Sequence, residues 1–364
     1  MMKKKLIALA LACGLVLSLA ACGGGGNAAT PAPATPAPAT PAPATEPAAP
    51  ETPAAPSYEP ATVRVAYMPN LGSASSLFTA IEQGYFEEVG LTVETTQFQG
   101  GPAEIAAMAS GDIDISQIGH GAHALCIEGQ AVIFQMDQTS LADAVVGNKA
   151  KGVTSAADLK GKTIAMSTGT SSEVLLQLAL ADAGLTMDDV NTVEMDANGI
   201  VTAMSSGQVD ACATWSPGTV TIKQALGDDY VTIADNATYV DKVTFPSSFI
   251  TTNGYAEAHR DILVRFSEAI YKANAYRAAN IDEVAKLLAK KLELPEDTML
   301  ASTGEGDWQG AVDIAGNIDT YRSYYENQQQ VFIDSGRITD PVPVDNYVLF
   351  DVMADGYAAY QASK

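Results

Sequence analysis

Cysteine and histidine are scarce in this chain, with four of one and three of the other in 364 residues. Cys13 and Cys22 lie in or beside the opening apolar run, which leaves Cys126 and Cys212, in segments expected to belong to different lobes. No disulfide framework is expected, and two separate buried thiols are. His120, His123 and His259 show no paired ligand spacing, so no metal site is expected. Basic residues are also few: beyond residue 21 there are 17, against 43 acidic ones. That balance excludes nucleic acid and anionic lipid as natural partners for the folded part. Past the N-terminal run, no apolar stretch is long enough to cross a membrane. There is no nucleophile elbow, no phosphate-binding P-loop and no Ser/His/Asp order with motif support. Neither catalysis nor a cofactor is therefore expected.

Lys3, Lys4 and Lys5 precede an apolar run that closes on Leu19-Ala20-Ala21-Cys22. A basic start, a short apolar core and small residues before a cysteine predict an export signal over residues 1–21, with Cys22 lipidated after cleavage. An ordinary signal with an incidental cysteine stays open. Residues 22–60 then read as a tether, since eleven of the eighteen prolines fall there and Thr-Pro-Ala-Pro-Ala recurs between Thr30 and Thr45. Such a segment favours an extended polyproline spacer and buries no core. The expected location is extracytoplasmic, held at the membrane by the lipid.

The remainder, Ala61 to Lys364, suits two lobes better than one domain. Within it one phrase occurs twice, 96 residues apart: Met108-Ala109-Ser110-Gly111-Asp112-Ile113-Asp114 and Met204-Ser205-Ser206-Gly207-Gln208-Val209-Asp210. In each, a helix ends at a glycine suited to a left-handed cap and a short strand follows. The strand at Val63-Arg64-Val65-Ala66 answers that at Lys162-Thr163-Ile164-Ala165. The pattern predicts two α/β lobes with mainly parallel sheets, one from residues 61–145 and 245–364, the other from 146–244, and a cleft between them.

Open α/β sheets bind ligands beyond the carboxyl ends of their strands, which selects the residues after each predicted strand. In the first lobe these are Tyr67, Met68 and Asn70, then Gly100 and Gly101 at a helix start, and His120. In the second they are Ser167, Thr168, Thr170 and Ser171, where hydroxyls and free N–H groups could seat an anion or merely cap a helix. Asp196 could receive an amine or amide, and Trp215 could stack on a ligand or pack in the core. Glu104 opposes an anion at the Gly100-Gly101 end. No arginine or lysine occurs in these loops.

The residues Val63-Arg64-Val65-Ala66-Tyr67-Met68-Pro69-Asn70, Gly84-Tyr85-Phe86, Gly90-Leu91-Thr92-Val93-Glu94, Ala109-Ser110-Gly111-Asp112-Ile113-Asp114, Asp158-Leu159-Lys160-Gly161-Lys162 and Gly207-Gln208-Val209-Asp210-Ala211 carry a resemblance. The chain resembles the extracytoplasmic solute-binding proteins of nitrate, sulfonate and taurine uptake systems, including relatives that bind thiamine-precursor pyrimidines. The resemblance implies a type II periplasmic-binding-protein fold, a monomer that closes on a small-molecule solute, and delivery to an ABC permease. Trp215-Ser216-Pro217 and Gly119-His120-Gly121-Ala122-His123 depart from the usual pattern at two of its turns. A sulfonate, taurine or nitrate-like solute is the family default, and a polar heteroaromatic one is the alternative. An adhesin or stalk protein is a third reading.

Overall fold

The computed structural model describes residues 58–364. The expected signal, Cys22 and the linker to residue 57 lie outside the described residues. Two five-stranded sheets form the frame. The first contains β1 (Ala61–Tyr67), β2 (Leu91–Gln97), β3 (Ile115–Ile118), β4 (Val132–Thr139) and β10 (Pro246–Thr251) in the order β2-β1-β3-β10-β4. The second contains β5 (Asp143–Asn148), β6 (Thr163–Met166), β7 (Asn191–Glu194), β8 (Ala211–Trp215) and β9 (Tyr230–Asp235) in the order β7-β6-β8-β5-β9. In each, three strands run parallel and the fourth, β10 or β5, is antiparallel to both neighbours. Both antiparallel strands arrive directly from the other sheet, so the chain crosses between lobes after β4 and again after β9. The division expected at residue 145 falls inside β5, all of whose pairing lies in the second sheet.

The repeat has a physical basis. Helices α2 (Gly101–Ala109) and α4 (Ala197–Ser205) keep the 96-residue offset, and each ends before a glycine at positive φ, 82° at Gly111 and 70° at Gly207. The aspartate closing each phrase ties the following strand to its neighbour. Asp114 accepts from Arg64 N–H at 2.9 Å and returns its own N–H to Arg64 O at 2.9 Å. Asp210 makes the same exchange with Thr163, both bonds at 2.9 Å. An edge N–H and C=O that the sheet would leave unpaired are thereby satisfied.

Strand side chains alternate between two cores. Val63, Val65 and Tyr67 of β1 face one cluster with α1 (Leu71–Glu82) and α5 (Arg260–Ala279), while Ala66 faces another with Tyr321, Tyr325 and Phe332 of α6 (Ile318–Asp334). In β6, Ile164 and Met166 face one core with α3 (Ser171–Asp182), and Ala165 faces the other. Cys126 and Cys212 are free, buried thiols in separate lobes, as expected. Burial pushes both thiols far above their ordinary range, so they are inert packing groups. Among the described residues no helix is long and apolar enough to span a membrane.

Candidate functional site: a cleft between the lobes

Met68 and Asn70 lead from β1 into α1. Asn70 caps that helix by accepting from Ser73 N–H at 2.8 Å, while Ser73 Oγ accepts from Met68 N–H at 2.9 Å. The turn is thus stitched to itself and holds the helix start at the carboxyl edge of the sheet. From the second lobe, α3 starts at the same edge of its own sheet. Its N-cap residue Thr170 does not cap: the hydroxyl donates to Ser167 O at 2.7 Å. Ser171 Oγ donates instead to Asp143 Oδ1 at 2.6 Å. The N–H groups that open α3 therefore have no side-chain cap, where helices usually supply one.

These two edges enclose a cleft lined by Met68, Asn70, Gly101, Gln117, Gly119 and Gln138 from the first lobe and by Asp143, Thr170, Ser171 and Trp215 from the second. The lobes touch at its back, because Gly121 lies so near the other rim that a Cβ there would fall 2.1 Å from the Thr170 carbonyl carbon. A second recess shares Met68, Asn70 and Trp215 with it and reaches Asn198 and the start of α4.

Asp143 is the ionisable side chain of the lining. It is 2 % exposed, accepts from Ser171 and from Asn236 Nδ2 at 3.1 Å, and burial pushes it up to about 6. Glu305 stands close by, and burial with the nearby Asp143 charge pushes it up to about 7. Two nearby arginines are engaged elsewhere: Arg277 pairs with buried Asp137 at 3.2 Å, and Arg337 with Glu173 at 3.5 Å. Gln117 bridges Asp137 and Gly72 O, both at 3.1 Å. Gln138, with no exposed surface, has neither amide atom in a hydrogen bond.

Six of the twelve residues selected from sequence meet in this lining: Met68, Asn70, Gly101, Thr170, Ser171 and Trp215. The others stand elsewhere. Tyr67 points into the first core, edge-on to Phe78 at 5.0 Å. Gly100 precedes α2 just outside the lining. Ser167 offers its carbonyl to Thr170, and Thr168 turns outward, its hydroxyl donating to Glu194 at 2.6 Å. Asp196 caps α4 by accepting from Gly199 N–H at 2.7 Å, although its neighbours reach the recess. His120 is buried behind the cleft, its Nδ1 2.9 Å from Gln328 Nε2 and its ring 5.0 Å from Phe245. Burial holds His120 well below its ordinary range and His123 at about 3, so both are neutral packing groups. Glu104 does not oppose the cleft with a charge. It is fully buried, accepts from Ser116 Oγ, and burial pushes it up to about 8.

Asp143, Gln138 and Ser247 were not selected from sequence. Asp143 and Ser247 lie at the beginnings of antiparallel strands, which is the same sheet edge as the ends of parallel ones. A lone aspartate opening the apolar run Ala144-Val145-Val146 was the available signal.

The NMT1/THI5-like family model matches residues 73–284, more than half of the chain. A Brucella abortus protein with no more specific name than binding protein is 31% identical over 79% of this chain and 90% of its own. The chain belongs to the NMT1/THI5-like family. The taurine-binding periplasmic protein of Escherichia coli is 26% identical over 71% of this chain and 76% of its own. Among solved structures, the alkanesulfonate-binding protein SsuA from Xanthomonas axonopodis pv. citri, bound to MOPS, superposes with a TM-score of 0.65 at 21% identity, covering 80% of this chain and 99% of that one. The two sheets with exchanged strands are those of the type II periplasmic-binding-protein fold.

Proposed function

We propose that the protein is the extracytoplasmic receptor of an ABC importer, lipid-anchored at Cys22, which captures a sulfonate-bearing organic solute and hands it to its permease as a monomer. The observation that carries this reading is a cleft lined by both lobes, with the uncapped start of α3 on one wall. Helix N–H groups and hydroxyls bind an oxyanion without a cationic side chain. The names of the taurine- and alkanesulfonate-binding relatives support the solute class. Closure is a population shift, sized by how much better the closed lobes hold the solute, and the closed shape is the one the permease accepts. The reading includes no catalytic step and no cofactor.

A polar heteroaromatic solute is the second reading, favoured by Trp215 standing beside Asp143 across the β5–β8 pair. Thermal unfolding of the stripped and refolded protein with taurine, alkanesulfonates, nitrate and aminopyrimidines separates the two. A true ligand at a hundred times its dissociation constant adds about 2.7 kcal/mol. A sulfonate that raises the midpoint supports the first reading, and stabilisation by pyrimidines alone replaces it with the second.

A further inference from the structure

On the reading that the cleft takes a small solute, we infer that this solute carries a protonated amine or similar cationic donor, for which Asp143 is the counter-ion and Gln138 the second polar contact. Asp143 is buried, and no lysine or arginine lines the cleft with it. Each of its oxygens accepts one hydrogen bond, from Ser171 or from Asn236, which leaves acceptor capacity on both. A carboxylate buried without a cation is costly, and the nearby Glu305 adds charge of the same sign when ionised. A ligand cation removes that cost.

Gln138 is the independent observation. Its side chain lines the same cleft, is fully buried, and leaves both Oε1 and Nε2 without a partner. Buried amides are nearly always bonded, so an orphaned one in the cleft lining marks a group that the ligand completes. Gly72 makes room for it: a Cβ there would stand 3.2 Å from Gln138 Nε2. Trp215, the strand partner of Asp143, can add its ring face to the same cation. Together these groups discriminate against simple anions. Nitrate or an unsubstituted alkanesulfonate meets Asp143 with nothing to give it.

Calorimetric titration of the full chain with matched probes tests this: taurine against ethanesulfonate, 3-aminopropanesulfonate against propanesulfonate, and 5-(aminomethyl)pyrimidine against 5-methylpyrimidine. The amine-bearing member of at least one pair should bind at least tenfold tighter, and Asp143→Asn should erase that ratio. An amine-free member that binds as tightly as its partner, or a ratio unchanged in Asp143→Asn, overturns the inference. If no probe of the six binds, the sulfonate reading falls, and the ligand-free midpoint of Asp143→Asn decides the charge assignment. Asparagine can donate to Ser171 Oγ and accept from Asn236, so an unchanged or higher midpoint upholds a charge reserved for a ligand. A midpoint several degrees lower makes Asp143 a structural group and overturns it.

Discussion

Glu104 and Ser116 in the first lobe occupy the positions that Ile200 and Cys212 hold in the second, at the repeat's own offset. All four are buried between a helix and the strand that follows it. One lobe fills that space with a hydrogen-bonded acid and hydroxyl, the other with two apolar side chains from a single cluster. The fold therefore requires the volume and not the polarity. The rims differ in the same way. Trp215 projects into the cleft, whereas His120, next to the matching glycine, turns back into an aromatic nest with Phe245 and Phe332. The two lobes share a scaffold and divide the work: the second supplies the ring, the carboxylate and the uncapped helix start, and the first supplies an amide.

The largest expected effect comes from joining the lobes badly. Gly121→Val places a side chain where the Thr170 backbone already sits, so closure should fail and ligand affinity fall at least about a hundredfold, with far-ultraviolet dichroism unchanged. Affinity within threefold of wild type would show that the lobes need not meet there.

Exchanging the rims comes next. Trp215→Ala should weaken binding about tenfold or more and leave the ligand-free midpoint within a few degrees. His120→Ala should do the reverse, with affinity near wild type and a midpoint lowered by several degrees, because it opens a cavity behind the wall. Titration and melting of both variants check this, and equal behaviour would dissolve the contrast.

The buried pair offers a smaller effect. Glu104→Ile with Ser116→Cys copies the second lobe into the first and should leave urea-unfolding stability unchanged or raise it by about 1–3 kcal/mol. Glu104→Ile alone leaves Ser116 unpartnered and should gain less. A double variant much less stable than wild type would show that the first lobe needs its polarity.

The smallest effect is in pH dependence. Glu104 is held near 8 in the folded protein against 4.5 when free, so between these values the native state keeps a proton that the unfolded chain releases. Stability then falls as pH rises from about 6.5 to 8, by at most about 1.4 kcal/mol per unit from this group. Below about 6.5 the neutral His120 and His123 act in the opposite sense, because the unfolded chain binds protons that they refuse. Glu104→Gln should flatten the upper window in urea titrations at each pH, and an unchanged slope would place the proton elsewhere.

Much of the frame was legible because it is local. Met108-Ala109-Ser110-Gly111-Asp112-Ile113-Asp114 and its copy announce a helix end, a left-handed glycine and a following strand within seven residues. The site was legible only where a parallel strand runs into a helix, which located Met68, Asn70, Gly101, Thr170, Ser171 and Trp215. Asp143 was hidden because its place depends on β5 leaving one sheet for the other, and its partner Asn236 lies 93 residues away. Gln138 was hidden for a related reason, since it lies within β4 rather than in a turn. His120 misled because the residue after a strand can face either the cleft or the core, and neighbours distant in sequence, Gln328 and Phe332, draw it to the core.

The most direct test of the claim that solute binds between the lobes uses the two tryptophans of the chain. Trp308→Phe leaves Trp215 as the sole tryptophan, and its emission can be followed while a ligand that raises the thermal midpoint is titrated in. The account predicts a saturating change in Trp215 emission over the concentrations that produce the stabilisation. Stabilisation with Trp215 emission unaltered would place the ligand outside the cleft and contradict it.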